Sequence, residues 1–130
     1  MGLELVSVIV KEYDEAVAFF VDVLGCVLEE DSPSLDGDGQ PKRWVVVRPS
    51  GSGSGILLAQ ARGEEQTALI GRQFAGRVGL FLRVDDFNAT YMRMTKAGVE
   101  FLTTPRSESY GPVAVFKDLY GNKWDLLGPA

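Results

Sequence analysis

Residues 24–28, Leu24-Gly25-Cys26-Val27-Leu28, and residues 97–101, Ala97-Gly98-Val99-Glu100-Phe101, repeat one signal: a helix end, a glycine, and a strand setting out. Glycine suits the position after a helix because it enters the left-handed backbone region without a Cβ penalty. Upstream of Gly25, Ala16, Val17, Phe20, Val23 and Leu24 recur at helical spacing, and Asp14 is the expected N-cap. Upstream of Gly98, Phe87, Tyr91 and Met94 lie at i, i+4 and i+7, behind a cap at Asp85-Asp86.

The flanking segments extend the repeat. Leu3 to Val10 is apolar and β-branched and reads as a buried strand. Cys26 to Glu30 reads as a short strand, Ser32 to Pro41 as a loop, and Arg43 to Arg48 and Ile56 to Gln60 as strands joined by a Gly/Ser turn over Pro49 to Gly55. Arg62 to Gly76 breaks the pattern and reads as a linker with one helical turn. Beyond it, Arg77 to Val84 reads as a strand, Val99 to Thr103 as another, Pro105 to Gly111 as a loop, and Val113 to Phe116 and Lys123 to Leu127 as strands around a turn at Asp118 to Asn122. Both halves are therefore β-α-β-β-β.

Hairpin-spaced strands after each helix favour an α+β fold over a parallel sheet. The expected fold is α+β: two tandem modules forming a cup-shaped mixed sheet with helices outside, in one domain over residues 1–130. Module 1 runs to about residue 61, the linker over about 62–76, and module 2 from about 77. An unrelated α+β sandwich is the alternative.

Composition narrows the chemistry. The chain has 130 residues, 45% hydrophobic and 24% charged, an ordinary globular mixture for one domain. It contains no histidine, which removes Ser-His-Asp and Cys-His systems, histidine general bases and every His-ligated metal site. A single cysteine, Cys26, forms no intrachain disulfide, and its place at a strand start predicts burial. Thirteen basic against eighteen acidic residues give a net charge of −5, and no basic cluster exceeds Lys42-Arg43, which argues against nucleic acid. The N-terminal apolar run is short, carries Glu4 and ends at Lys11-Glu12, so it does not read as a signal peptide. Val6 stands where a myristoylation signal needs a hydroxyl. No stretch approaches membrane length, and the expected location is cytoplasmic.

Three segments resemble a known family. YDEAVAFFVDVLG, residues 13–25, is similar to the D-x-x-x-A-x-x-F-Y-x-x-x-L-G segment of the glyoxalase, bleomycin-resistance and extradiol dioxygenase family, the vicinal oxygen chelate superfamily. VAVFKDLYGNKWDLL, residues 113–127, resembles its closing F-x-D-P-x-G-N-x-x-E-L hairpin, and RVGLFLRVDDFNATYMRMTKAGVEF, residues 77–101, resembles the opening of its second module. The order and spacing agree over essentially the whole chain.

The resemblance implies a cup that holds one divalent metal, with ligands from the first and last strand of each module. Those are typically His or Gln, then Glu, His and Glu. The matching positions here are Leu5, Leu57 or Leu58, Gly79, and Asp125, which is shorter than the usual Glu. One carboxylate among Leu and Gly does not make a divalent site. The expectation is no metal and no cofactor, a shifted site built from Asp125 and other carboxylates being the alternative. The resemblance also implies a homodimer.

The expected function is binding of a small organic molecule in an apolar, aromatic cavity with a few polar anchors, as in drug-sequestering family members. The alternative is a metal-independent or atypical lyase, isomerase or dioxygenase-type enzyme, with Asp125 as acid or base and Arg83 or Tyr110 as electrostatic partner. A partner-binding module is a third reading.

Candidate ligand contacts are Phe81, Arg83, Tyr110, Asp125 and Trp44. Asp125 shares a strand face with Lys123 and is placed to meet a ligand or pair with Arg83; its other reading is a solvated face. Phe81 and Arg83 share a face with Gly79, which leaves cavity volume, and Arg83 is otherwise an exposed strand end. Trp44 reads as core, with ligand stacking the other reading. Tyr110 stands where family members place an aromatic at the pocket mouth. Arg106, in the same loop, is an anion contact or a solvated charge. Phe116 and Trp124 are expected beneath the second helix. Gln60, Gln66 and Gln73 read as surface, with orientation of a polar ligand the other reading, Asp36-Gly37-Asp38-Gly39 as a turn rather than a calcium loop, and Gly51, Gly53 and Gly55 as a flexible hairpin turn.

Overall fold

The computed structural model describes residues 1–50 and 53–129. The chain divides into two compact units, Met1–Ile70 and Gly71–Ala130. No helix among the described residues is long and apolar enough to cross a membrane.

The first unit contains β1 (Leu5–Val10), α1 (Tyr13–Ala18), β2 (Val27–Leu35), β3 (Pro41–Arg48), β4 (Gly55–Gln60) and α2 (Gly63–Ala68). Its four-stranded sheet has the order β1-β4-β3-β2, with β1 parallel to β4 and the other pairs antiparallel. Val8, Val10, Val45, Val47, Ile56 and Leu58 are buried on one sheet face, and Tyr13, Ala16, Phe20 and Leu24 are buried on the helical segment that follows β1. Period two in the strands and the i, i+3/i+4 spacing in the helix bring these two apolar surfaces into one core.

The second unit contains β5 (Val78–Arg83), α3 (Phe87–Lys96), β6 (Arg106–Glu108), β7 (Gly111–Lys117) and β8 (Lys123–Leu127). Its sheet order, β5-β8-β7-β6, repeats that of the first unit, again with the outer pair β5 and β8 parallel. The α+β fold of two tandem modules is thus present, with the same connectivity in each. Phe116 and Trp124 lie in the core with Phe87 and Met94 of α3, as expected, and their rings stack at 5.6 Å.

Several local expectations are corrected. The first N-cap is Glu12, not Asp14: the Glu12 carboxylate accepts the N–H groups of Asp14 (3.0 Å) and Glu15 (2.8 Å). The Asp14 carboxylate instead meets Arg43 at 2.8 Å. The α-helix ends at Ala18, and Phe19–Val23 continues as a wider π-helical turn before Gly25 at φ 83°. β2 runs to Leu35 rather than stopping at Glu30, because an edge strand tolerates Pro33 and polar side chains. The loop contracts to a tight turn in which the Asp36 carboxylate accepts the N–H groups of Asp38 and Gln40, each at 2.9 Å, so the Asp-Gly motif is a turn as expected. Gly51 and Ser52 of the glycine-serine turn lie outside the described residues.

The strand expected over Val99 to Thr103 is reduced to one bridge, Phe101 with Phe116. There the Thr103 hydroxyl takes the Val115 N–H at 3.0 Å, and Pro105 has none to offer, so the pairing lapses until β6.

Candidate functional site

Strand β8 presents Trp124 and Leu126 to the core, and Asp125 therefore points to the opposite face. The register sets Phe81 of β5 on one side of Asp125 and Val115 of β7 on the other. Phe81 is 63% exposed there, although Val113 and Leu127 toward the far end of that face are buried. Asp125 is half-buried, and its Oδ1 atom has no hydrogen-bond partner. Burial pushes its carboxyl above the usual carboxylate range, partly offset by the positive charge of Arg106.

Arg106 pairs opposite Val113 and so shares this face. Its Nε lies 2.8 Å from Glu108 Oε1, and it interacts more weakly with Tyr110, which stands exposed in the turn between β6 and β7. Arg83 does not pair with Asp125: its Nη1 donates to the Gly128 carbonyl at 2.5 Å. Phe81, Arg83, Arg106 and Asp125 thus lie on one sheet face, with Tyr110 joined to it through Arg106. Gly79 leaves no cavity volume. A Cβ there would fall 2.2 Å from the Phe74 ring, so the glycine makes room for that side chain.

Trp44 belongs to the first unit. It is not a core residue: Val45 and Val47 turn into the core, while Trp44, one residue out of phase, is 36% exposed. Strands β3 and β4 pair only at Val46–Leu57 and Val47–Ile56, and beyond these the ladder stops. A pocket of about 230 Å³ opens at that point, with Trp44, Leu57 and Leu58 as apolar walls and Lys42, Gln60 and Arg62 among its polar ones. Gln66 also lines it, and its Oε1 accepts the Arg62 N–H at 2.9 Å. Gln66 is exposed, as its surface reading expects, and Gln60 is half-buried; both border the pocket because they flank Arg62 at the junction of a strand and a helix.

Cys26 is buried as expected, and burial pushes its thiol up to about 11, which leaves it without thiolate character at neutral pH.

The positions that would bear a divalent metal do not suit one. Leu5 and Leu57 in the first unit and Gly79 in the second have no donor atom, Leu58 is fully buried, and Asp125 offers a single carboxylate. Among the described residues no group of three or more His, Cys, Asp or Glu side chains is placed to hold a metal ion. Three or more protein donors in fixed geometry are the ordinary requirement.

Comparison with known proteins adds a relationship. A model of the Glyoxalase/Bleomycin resistance protein/Dioxygenase superfamily matches residues 2–126. An uncharacterized protein of Shewanella frigidimarina (strain NCIMB 400) is 50% identical over 123 residues, covering 94% of this chain and 89% of its own length. Among solved structures, TnmS3, an antibiotic binding protein from Streptomyces sp. CB03234, is 30% identical with a TM-score of 0.80, covering 100% of this chain and 97% of that one. UcmS2 is 31% identical with a TM-score of 0.78, covering 98% and 97%.

Proposed function

The chain belongs to the Glyoxalase/Bleomycin resistance protein/Dioxygenase superfamily, and on that premise we propose that it binds a small organic molecule non-covalently, without the divalent metal of the superfamily's enzymes. The observation that carries this reading is Asp125. A half-buried carboxylate with an unpartnered oxygen, set between Phe81 and Val115, is costly unless a ligand donor completes it. Phe81 supplies an exposed aromatic surface beside it, and Arg83, Arg106 and Tyr110 supply polar anchors. The description of TnmS3 as an antibiotic binding protein supports small-molecule binding, and the present reading is that the bound compound is sequestered without chemical change. The reading has the protein act in the cytoplasm as a homodimer with no nucleic-acid partner, which its net charge of −5 supports.

Equilibrium dialysis against a panel of aromatic compounds that carry hydrogen-bond donors, with mass spectrometry of the recovered compound, tests the proposal. Saturable binding, unchanged ligand mass and no effect of EDTA are expected. Asp125→Asn should weaken binding about tenfold, the worth of one charge-assisted hydrogen bond. A second reading is favoured by the raised pKa of Asp125, which suits a proton carrier in acid or base catalysis. Recovery of an altered compound, abolished by Asp125→Asn, would establish that reading instead.

A further inference from the structure

Every residue that lines the opening in the sheet of the first unit lies within residues 13–66. It forms where β3 and β4 cease to pair. Continuing their register would bring Val45 against Leu58 and Trp44 against Ala59, yet neither pair forms. The Tyr13 hydroxyl of α1 accepts the Arg43 N–H at 3.3 Å beyond the end of that ladder, and the Arg43 guanidinium sits 4.9 Å over the Tyr13 ring. α1 thus props the gap from one side.

The cations that line the opening, Lys42, Arg43 and Arg62, differ in how they are paired, and Asp36 is the one lining carboxylate. Arg43 is committed elsewhere, to Asp31 at 2.6 Å and Asp14 at 2.8 Å. Arg62 is held at the rim by Asp36 Oδ2 at 2.8 Å and the Pro41 carbonyl at 2.6 Å. Lys42 forms no ion pair among the described residues; it sits only within the electrostatic range of Asp36, whose carboxyl it helps to lower. One ammonium without an ion pair and one fixed guanidinium therefore border a pocket walled by an indole and two leucines.

Size limits the occupant. A dry cavity of about 150 Å³ accommodates benzene, so about 230 Å³ leaves room for one ring and one small substituent. We propose that this opening is a binding site for a single-ring aromatic carboxylate, the ring against Trp44 and the carboxylate between Lys42 and Arg62. Aromatic stacking supplies affinity, and the Lys42 ammonium, which no carboxylate pairs among the described residues, selects the anion. The proposal does not depend on what the Asp125 face binds.

The test is a ligand-observed NMR titration of the full chain with benzoate, benzamide and acetate. Benzoate is expected to bind saturably, at least tenfold more tightly than benzamide, which has the ring without the charge, and than acetate, which has the charge without the ring. Lys42→Gln should cut benzoate affinity about tenfold and leave benzamide unchanged. Trp44→Ala should lose both aromatic probes, with circular dichroism confirming the fold. Raising the salt should weaken benzoate alone. Equal affinity for benzoate and benzamide, indifference to Lys42→Gln, or no benzoate binding would each overturn the proposal.

Discussion

Asp125 illustrates what a single residue contributes and what it costs. Because burial raises its carboxyl pKa, the folded chain holds that proton more tightly than the unfolded chain does. The sign follows from linkage: the neutral form is favoured in the fold, so the contribution to stability is whole below the unfolded carboxyl value of about 3.9 and declines as pH rises through the folded value. Asp125→Asn is therefore expected to raise Tm at pH 7 and to leave it unchanged at pH 3, which paired thermal melts would measure. A rise of equal size at both pH values would remove the charge from the explanation. Gly79 offers a steric counterpart. Gly79→Ala drives a Cβ to 2.2 Å from the Phe74 ring, and overpacking of this kind costs about 1–3 kcal/mol. Urea denaturation should show the loss, with partial recovery in Gly79→Ala/Phe74→Leu. The face of Asp125 and Phe81 was legible from alternation along their strands. The Phe74 contact was not, because the linker carries no periodicity that says where its aromatic ring returns.

At the scale of elements, the hairpin that ends the chain shows how one polar residue sets a turn. Asp118 is buried, and its Oδ1 accepts the N–H groups of Tyr120 (3.0 Å), Gly121 (3.1 Å) and Asn122 (3.0 Å). Its Oδ2 takes Asn122 Nδ2 at 3.1 Å and Trp124 Nε1 at 3.0 Å. Five donors converge on one carboxylate, so Asp118→Ala would leave several of them buried and unpaired. The expected loss is about 2–4 kcal/mol, seen as a lower urea midpoint with an unchanged slope. Strands and helices with strong patterns, such as β1, β8 and α3, are legible in the sequence. The far half of β2 is not, because Ser32, Pro33 and Ser34 look like loop residues. Pairing with β3 overrides that local preference, since an edge strand needs partners on one side only. The second-module strand at Val99 was overestimated for the converse reason: a hydroxyl from Thr103 competes for the ladder.

For the whole molecule, the proposed homodimer predicts a light-scattering mass of twice the 14.2 kDa chain on size exclusion, and a monomer mass would refute it. The proposed metal independence predicts that EDTA leaves Tm unchanged; a drop restored by one equivalent of a divalent ion would count against it. The duplication was written in the chain, because helix ends and strand alternation are local signals that repeat whenever the same module repeats. The two sheets confirm it with one shared strand order. The absence of histidine likewise removes whole catalytic classes on composition alone. Tertiary structure alone decided the rest. Lys42, Gln60, Arg62 and Gln66 come from β3, β4 and α2 and its approach, and they meet because a ladder stops after two residue pairs. Alternation along a strand tells which face a side chain takes, but where two strands part depends on a third element, here α1 with the Tyr13 hydroxyl, and no local pattern encodes that.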